Sequence, residues 1–113
     1  MKINWTDLEA TSREYDLDLG ELFSIFFKQS ENKMREIKVA VDSKDSEVLR
    51  NAAHFMAGSA GALHLEDLRI SFKEVEEKAV AQDFSNLEEK LVKIQEEISE
   101  ISQAVVNKNY SGR

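Results

Sequence analysis

The stretch NAAHFMAGSAGALH, residues 51 to 64, contains both histidines of the chain and two of its four glycines. A neutral imidazole, whose pKa is ordinarily about 6.5, offers a nucleophilic ring nitrogen at neutral pH. One helical turn after His54 the chain has Ala57 and Gly58, and two turns after it Gly61. Each glycine inside a helix costs about 0.5–1 kcal/mol relative to alanine. A histidine that a large partner must approach closely would account for that cost.

The geometry of a helix places His54 in the middle of a face without large apolar side chains. At about 100° per residue, six residues fall within about 60° of it: Glu47, Arg50, Asn51, Ala57, Gly58 and Gly61. Apolar residues about 100° or more away predict the core face of the same helix: Val48, Leu49, Ala52, Phe55, Met56, Ala60 and Leu63. We therefore predict that His54 is exposed and that the surface beside it consists of small side chains.

The second histidine, His64, is predicted to be a surface or helix-end residue. It follows His54 by ten residues, which is not the i, i+4 spacing of two metal ligands on one helical face. The chain has no cysteine, which excludes disulfides and thiolate zinc sites. We predict no bound metal and no cofactor.

Helical periodicity extends along almost the whole chain, and no segment alternates with the period of two typical of strands. Three pairs of residues resemble capping boxes and predict helix starts: Thr6 with Glu9, Asp18 with Glu21, and Ser85 with Glu88. Apolar residues at three- and four-residue spacing place helices at about 7–15, at about 19–41, from Asp45 or Ser46 through Leu63, at about 65–81, and from Leu87 to about 107.

This pattern predicts an all-α fold, an antiparallel up-and-down four-helix bundle with an additional short N-terminal helix. The length of 113 residues is that of one domain. We assign residues 1–108 to this single domain, with the short helix at about 7–15 and the bundle at about 19–107. Residues 109–113 are predicted to be a flexible tail.

The net charge of −7 argues against nucleic acid as a partner, because phosphate binding requires clustered Lys and Arg. An acidic surface also disfavours anionic membranes. No apolar run approaches the roughly 20 residues of a membrane span, and the start MKINWTDLEA lacks the apolar region of a signal peptide. We expect a cytoplasmic, monomeric protein.

The residues around His54 resemble the motif of histidine phosphotransfer (HPt) domains of two-component phosphorelays. That motif reads roughly H-x-L-K-G-S after an alanine pair, and this chain has AAHFMAGSAG from Ala52 to Gly61. About 85 residues, from Leu19 to roughly Val105, fit the layout of the family. The chain departs from it at Ala57, where the family usually has Lys, and at His64, where it often has Gly.

The resemblance implies that His54 accepts a phosphoryl group from a receiver-domain aspartyl phosphate and passes it to another receiver. The partners would be response-regulator receiver domains, a hybrid sensor kinase, or both. Arg50, Asn51, Ala57, Gly58 and Gly61 would form the binding surface. Arg50 could partly replace the missing lysine, and Lys73 on the following helix is a weaker candidate. Without a Gly-rich nucleotide loop or Walker motif, the chain would be a phosphocarrier rather than an ATP-using kinase.

Two other functions remain open. Ala57 is compatible with a degenerate HPt-like adaptor or inhibitor that binds a receiver or kinase without phosphate turnover. The regular apolar seam of the last helix is compatible with an unrelated helical bundle that binds other helices, although such a seam usually forms core.

Overall fold

The computed structural model describes residues 3–110, of which 82% are helical, with no strand in that range. The five helices are α1 (Trp5–Tyr15), α2 (Leu19–Ser43), α3 (Ser46–Ala62), α4 (Glu66–Val80) and α5 (Leu87–Asn107). Helices α2 to α5 form the four-helix bundle and α1 is the short N-terminal helix, as predicted. Within residues 3–110, no helix has the length and apolar character needed to cross a membrane.

The starts of α2 and α3 are those that the sequence predicts. The Asp18 carboxylate accepts a hydrogen bond from the backbone N–H of Glu21 at 3.2 Å, and the Asp45 carboxylate accepts one from Val48 at 3.1 Å. Each cap satisfies a backbone donor that the first helical turn leaves free. The second cap fixes where α3, the helix of His54, begins.

The caps of α1 and α5 differ from the predicted ones, and α1 begins earlier than predicted. Asn4, not Thr6, caps α1, because its side chain accepts the N–H of the residue three positions later. Helix α5 follows Asn86, which adopts a left-handed conformation with φ of 59° and gives no side-chain cap. The backbone N–H of Ser85 instead donates to the Asp83 carboxylate at 3.0 Å.

Helices α3 and α4 form the tightest antiparallel pair of the bundle. Their connecting turn contains His64 in the left-handed region, with φ of 56°. The N–H of Leu65 donates to the carbonyl of Ala60 at 2.9 Å and closes the end of α3. His64 thus lies at a helix end, and its Nε2 is 3.4 Å from the Thr11 hydroxyl of α1.

The buried face of α3 is rotated from the predicted one. Val48 and Phe55 were expected in the core, but they are 39% and 41% exposed. Ala53 and Ala57 are buried instead. The reason is that α3 packs most closely against α4, and small side chains allow two helix backbones to approach closely. The larger side chains on the opposite edge of α3 are left exposed.

The C-terminal end packs against α1 as far as Tyr110, which the sequence assigns to the flexible tail. The Tyr110 hydroxyl donates to the Glu9 carboxylate at 2.8 Å. The Tyr110 ring centroid is 5.6 Å from that of Trp5, which in turn lies 5.9 Å from Phe23. Residues 111–113 of the predicted tail lie outside the described range.

Candidate functional site

His54 lies on the middle of α3 with 69% of its side chain exposed. Its Nδ1 is 3.0 Å from Oε2 of Glu76, which α4 presents from across the helix pair. The Glu76 side chain is only 13% exposed. The site therefore consists of an accessible imidazole whose inner nitrogen is bound to a largely buried carboxylate.

The second oxygen of this carboxylate binds a lysine from the same helix. Lys73 Nζ lies 3.1 Å from Oε1 of Glu76. Burial by itself raises the pKa of Glu76, but hydrogen bonds from Lys73 and His54 and the charges of these partners outweigh it. The pKa of Glu76 is thus held below its ordinary value of 4.5, so that the group is an anion at neutral pH.

The ionised carboxylate determines which nitrogen of His54 is reactive. A carboxylate can only accept hydrogen bonds, so Nδ1 must carry the proton and donate it. In the neutral ring the lone pair is then on Nε2. Within residues 3–110, Nε2 has no hydrogen-bond partner. His54 therefore offers a free nucleophilic nitrogen on the exposed side of the ring.

Four of the five other predicted site residues lie at least partly on the surface. Arg50 and Asn51 are exposed and have no ion pair or hydrogen bond from their side chains within the described range. Gly58 is exposed, and a Cβ built there would meet nothing within 4 Å. Gly61 is half-buried, and a Cβ there would lie 3.2 Å from Cδ of Arg69. Gly58 thus leaves open space beside His54, whereas Gly61 accommodates a side chain of α4.

Ala57 does not lie on the exposed face as the sequence predicts. It is 6% exposed and belongs to the hydrophobic core. The helical-wheel angle placed it close to His54, but that side of the ring faces α4 rather than solvent. Its methyl group therefore packs at the edge of the α3–α4 contact. The assignment of Ala57 to the binding surface stays a prediction, and the buried position of this residue does not support it.

Beside His54, on the side away from α4, four exposed residues form a stripe along α3. We call these residues the docking stripe: Val48, Asn51, Phe55 and Gly58. The Phe55 ring is covered on one side by Lys33 of α2, whose Nζ is 4.8 Å from the ring centroid. Val48 and Phe55 expose apolar surface beside the imidazole. The docking stripe therefore suits contact with another protein, since exposed apolar surface commonly marks interaction sites.

Sequence reasoning missed Glu76, and it ranked Lys73 only as a weaker candidate. A signal for both was present in the chain. If a short turn joins two antiparallel helices, a residue eight positions before the end of α3 lies opposite one about ten positions into α4. The carboxylate that faces His54 could have been found from this register.

Within residues 3–110, no group of three or more His, Cys, Asp or Glu side chains is placed to hold a metal ion. Three basic residues surround this site: Lys73 binds Glu76, Arg50 lies one helical turn before His54, and Lys33 lies over the ring of the neighbouring Phe55. The chemistry available at this site is consequently that of a nucleophilic imidazole with an anionic partner behind it and cations around it.

Comparison with protein families gives a match to the Hpt domain. The model of the Hpt domain matches residues 21–104, a segment that extends from the first turn of α2 almost to the end of α5 and includes His54, Lys73 and Glu76. Comparisons with curated proteins and with solved structures find no significant match.

Proposed function

Because this chain belongs to the Hpt domain family, which its residues 21–104 match, we propose that it is a phosphocarrier of a two-component phosphorelay. His54 accepts a phosphoryl group from the aspartyl phosphate of a receiver domain and passes it to another receiver. The observation that carries this proposal is the 3.0 Å contact between His54 Nδ1 and Glu76, which leaves Nε2 free on an exposed side chain.

The transfer needs no proton movement at the histidine. The Nε2 lone pair forms a bond to phosphorus while the bond from phosphorus to the aspartyl oxygen breaks, and that oxygen leaves with the electron pair as a carboxylate. Because Nδ1 keeps its proton, the ring gains a positive charge as the N–P bond forms. The Glu76 carboxylate stabilises this charge, and the transfer otherwise depends mainly on positioning and electrostatics.

The docking stripe supports a protein as the phosphoryl donor. Phe55 and Val48 supply apolar contact area beside the imidazole, and Gly58 leaves room for a partner to come close to Nε2. Arg50 is an exposed cation one turn before His54 and has no partner within the described range. Such a cation suits the acidic pocket that surrounds the aspartate of a receiver domain.

The alternative is a degenerate adaptor or inhibitor that binds a receiver or kinase without phosphate turnover. The observation in its favour is Ala57, which replaces the usual lysine of the motif and is too deeply buried to touch a phosphoryl group. The intact contact between His54 and Glu76 favours the carrier, since an adaptor has no need of a free Nε2.

The proposal includes a monomer that works in the cytoplasm. His54, Glu76, Lys73 and the docking stripe all come from α3 and α4 of one chain, so that a second copy is not needed to complete the site. Light scattering of the purified protein and fractionation of cells that express it would test these two points.

The deciding experiment is incubation with a receiver domain that carries ³²P-labelled aspartyl phosphate. We expect acid-labile, base-stable label on this chain, the behaviour of phosphohistidine, and its loss in the variant His54→Gln. A wild-type chain that binds the phosphorylated receiver but never acquires label would reject the carrier and favour the adaptor.

A further inference from the structure

We propose that Lys73 of α4 supplies the cation that contacts the phosphoryl group. Residue 57 of α3, where the motif usually has a lysine, is an alanine and has no charge to supply. This inference rests on the proposed phosphocarrier function and adds a residue to it. Three observations support it: the register of α3 and α4, the bond of Lys73 to Glu76, and the charge that the site must balance.

The register places Lys73 opposite Ala57. His54 contacts Glu76, and two turns further along α3 Gly61 faces Arg69, which lies seven residues before Glu76. A step forward on α3 is thus matched by an equal step back on α4. Three residues after His54 is Ala57, and three residues before Glu76 is Lys73. A lysine on α4 therefore occupies the level of the pair at which α3 has only a methyl group.

Contacts at the site bring Lys73 close to the ring. Its Nζ binds one oxygen of Glu76 at 3.1 Å while His54 Nδ1 binds the other at 3.0 Å. The Lys73 side chain is 48% exposed, so that its ammonium can turn toward a group outside the protein. A buried lysine could not do so, and Arg50 has no such link to the carboxylate that holds the ring.

Phosphorylation creates a need for this cation. The phosphoryl group on Nε2 carries about two negative charges. The other nitrogen of the same ring is bound to Glu76, which is itself an anion. The ring takes up one positive charge when the N–P bond forms, which leaves the site with excess negative charge. Lys73 offsets it through a charge-assisted hydrogen bond to a phosphoryl oxygen. It neither donates nor removes a proton, and the bonds that form and break are those of the transfer described above.

The test uses phosphoramidate, a small phosphoryl donor that needs no docking surface. We expect Lys73→Met to lower the rate of His54 phosphorylation by about tenfold, the change that corresponds to one charge-assisted contact of modest strength. Lys73→Arg should retain most of the rate because it keeps the charge. Lys93→Met, which removes a lysine from α5, is the matched control and should leave the rate unchanged.

A second pair of variants separates direct contact from an effect through Glu76. If Lys73 touches the phosphoryl group, Lys73→Met should still slow phosphorylation severalfold in the background of Glu76→Gln. If its only task is to hold Glu76, the second change should have no effect there, and the proposal would be overturned. Equal rates for wild type and Lys73→Met would overturn it as well.

Failure of the proposed function would look different. A chain that is phosphorylated by phosphoramidate in a Lys73-dependent way, yet takes no label from a phosphorylated receiver, would reject the carrier and retain the assignment of Lys73. A chain in which neither donor labels His54 would overturn both.

Discussion

Glu76 Oε2 on α4 lies 3.0 Å from Nδ1 of His54 on α3, and this contact decides which end of the imidazole can react. The carboxylate is 22 residues away in the sequence and reaches the ring only because α3 and α4 pack antiparallel. It binds the ring and selects the Nδ1–H tautomer, and in the proposed transfer it stabilises the charge that appears on the ring.

We expect this tautomer to be visible by NMR. At a pH at which the ring is neutral, ¹⁵N–¹H correlation spectra of wild type should show a protonated Nδ1 and an unprotonated Nε2 at His54. In Glu76→Gln the anionic acceptor is gone, so the fraction with a proton on Nε2 should rise. Spectra that show the same tautomer in both proteins would mean that Glu76 does not select it.

Replacing His54 by Gln should abolish phosphorylation and leave the fold intact. An exposed helical position tolerates this residue, and surface substitutions usually change stability by no more than about 0.5 kcal/mol. Phosphohistidine detection together with circular dichroism measures both effects. His64→Gln is the matched control, since His64 lies at the turn and not in the site; loss of label there too would refute the assignment of His54.

Gly58→Leu should block transfer from a receiver but not from a small donor. The new side chain begins in open space, since a Cβ at residue 58 meets no atom within 4 Å. Because leucine is the better helix former, the free energy of unfolding should rise by up to roughly 0.5–1 kcal/mol. The melting temperature should accordingly stay the same or rise. Phosphoramidate should still phosphorylate His54, because it needs no docking surface.

A matched control for this variant is Ser102→Leu, which adds the same side chain at an exposed position of α5. Transfer from the receiver should persist in this control. If Gly58→Leu transfers as well as wild type, the partner does not approach along the docking stripe.

Glu76 should make stability depend on pH in the acid range. The partners of Glu76 lower its folded pKa, so its ionised form stabilises the fold above the ordinary pKa of 4.5, and this contribution is lost as the pH falls through the lower folded value. Urea unfolding should therefore show Glu76→Gln to be less stable than wild type at pH 7, with the difference shrinking by pH 3. An equal difference at both pH values would contradict the lowered pKa.

His64→Gly should stabilise the protein. His64 adopts a φ of 56°, a left-handed conformation that costs most L-residues about 1–2 kcal/mol. Glycine avoids this cost, but the greater conformational freedom of glycine in the unfolded chain cancels roughly half of the gain. Urea unfolding should show a net gain of about 0.5–1 kcal/mol. His64→Gly also loses the contact between the His64 ring and the Thr11 hydroxyl. The control Thr11→Val removes only this hydroxyl and so measures how much that contact contributes to stability. A less stable His64→Gly would show that this contact outweighs the backbone strain.

Much of the fold follows from the sequence, because amphipathic spacing and caps such as Asp18 and Asp45 are local signals. The exposure of His54 was predictable for the same reason. The exposure of Phe55 was not, since the buried face of α3 depends on which neighbouring helix approaches most closely. Glu76 was not predicted either, because its place opposite His54 follows from the register of two helices, which the turn between them sets.

That turn also limits how the length of this chain can change. His64 and its neighbours close α3 and start α4 within a few residues, so they set the rotation of α4 about its own axis. One residue inserted in α4 between this turn and Glu76 would rotate Glu76 by about 100° about the helix axis and shift it by about 1.5 Å, which would carry its carboxylate away from the ring. Insertions and deletions between His54 and Glu76 would therefore separate the imidazole from its carboxylate partner. The loop between α4 and α5 lies beyond both residues, so the same changes there would leave their register intact.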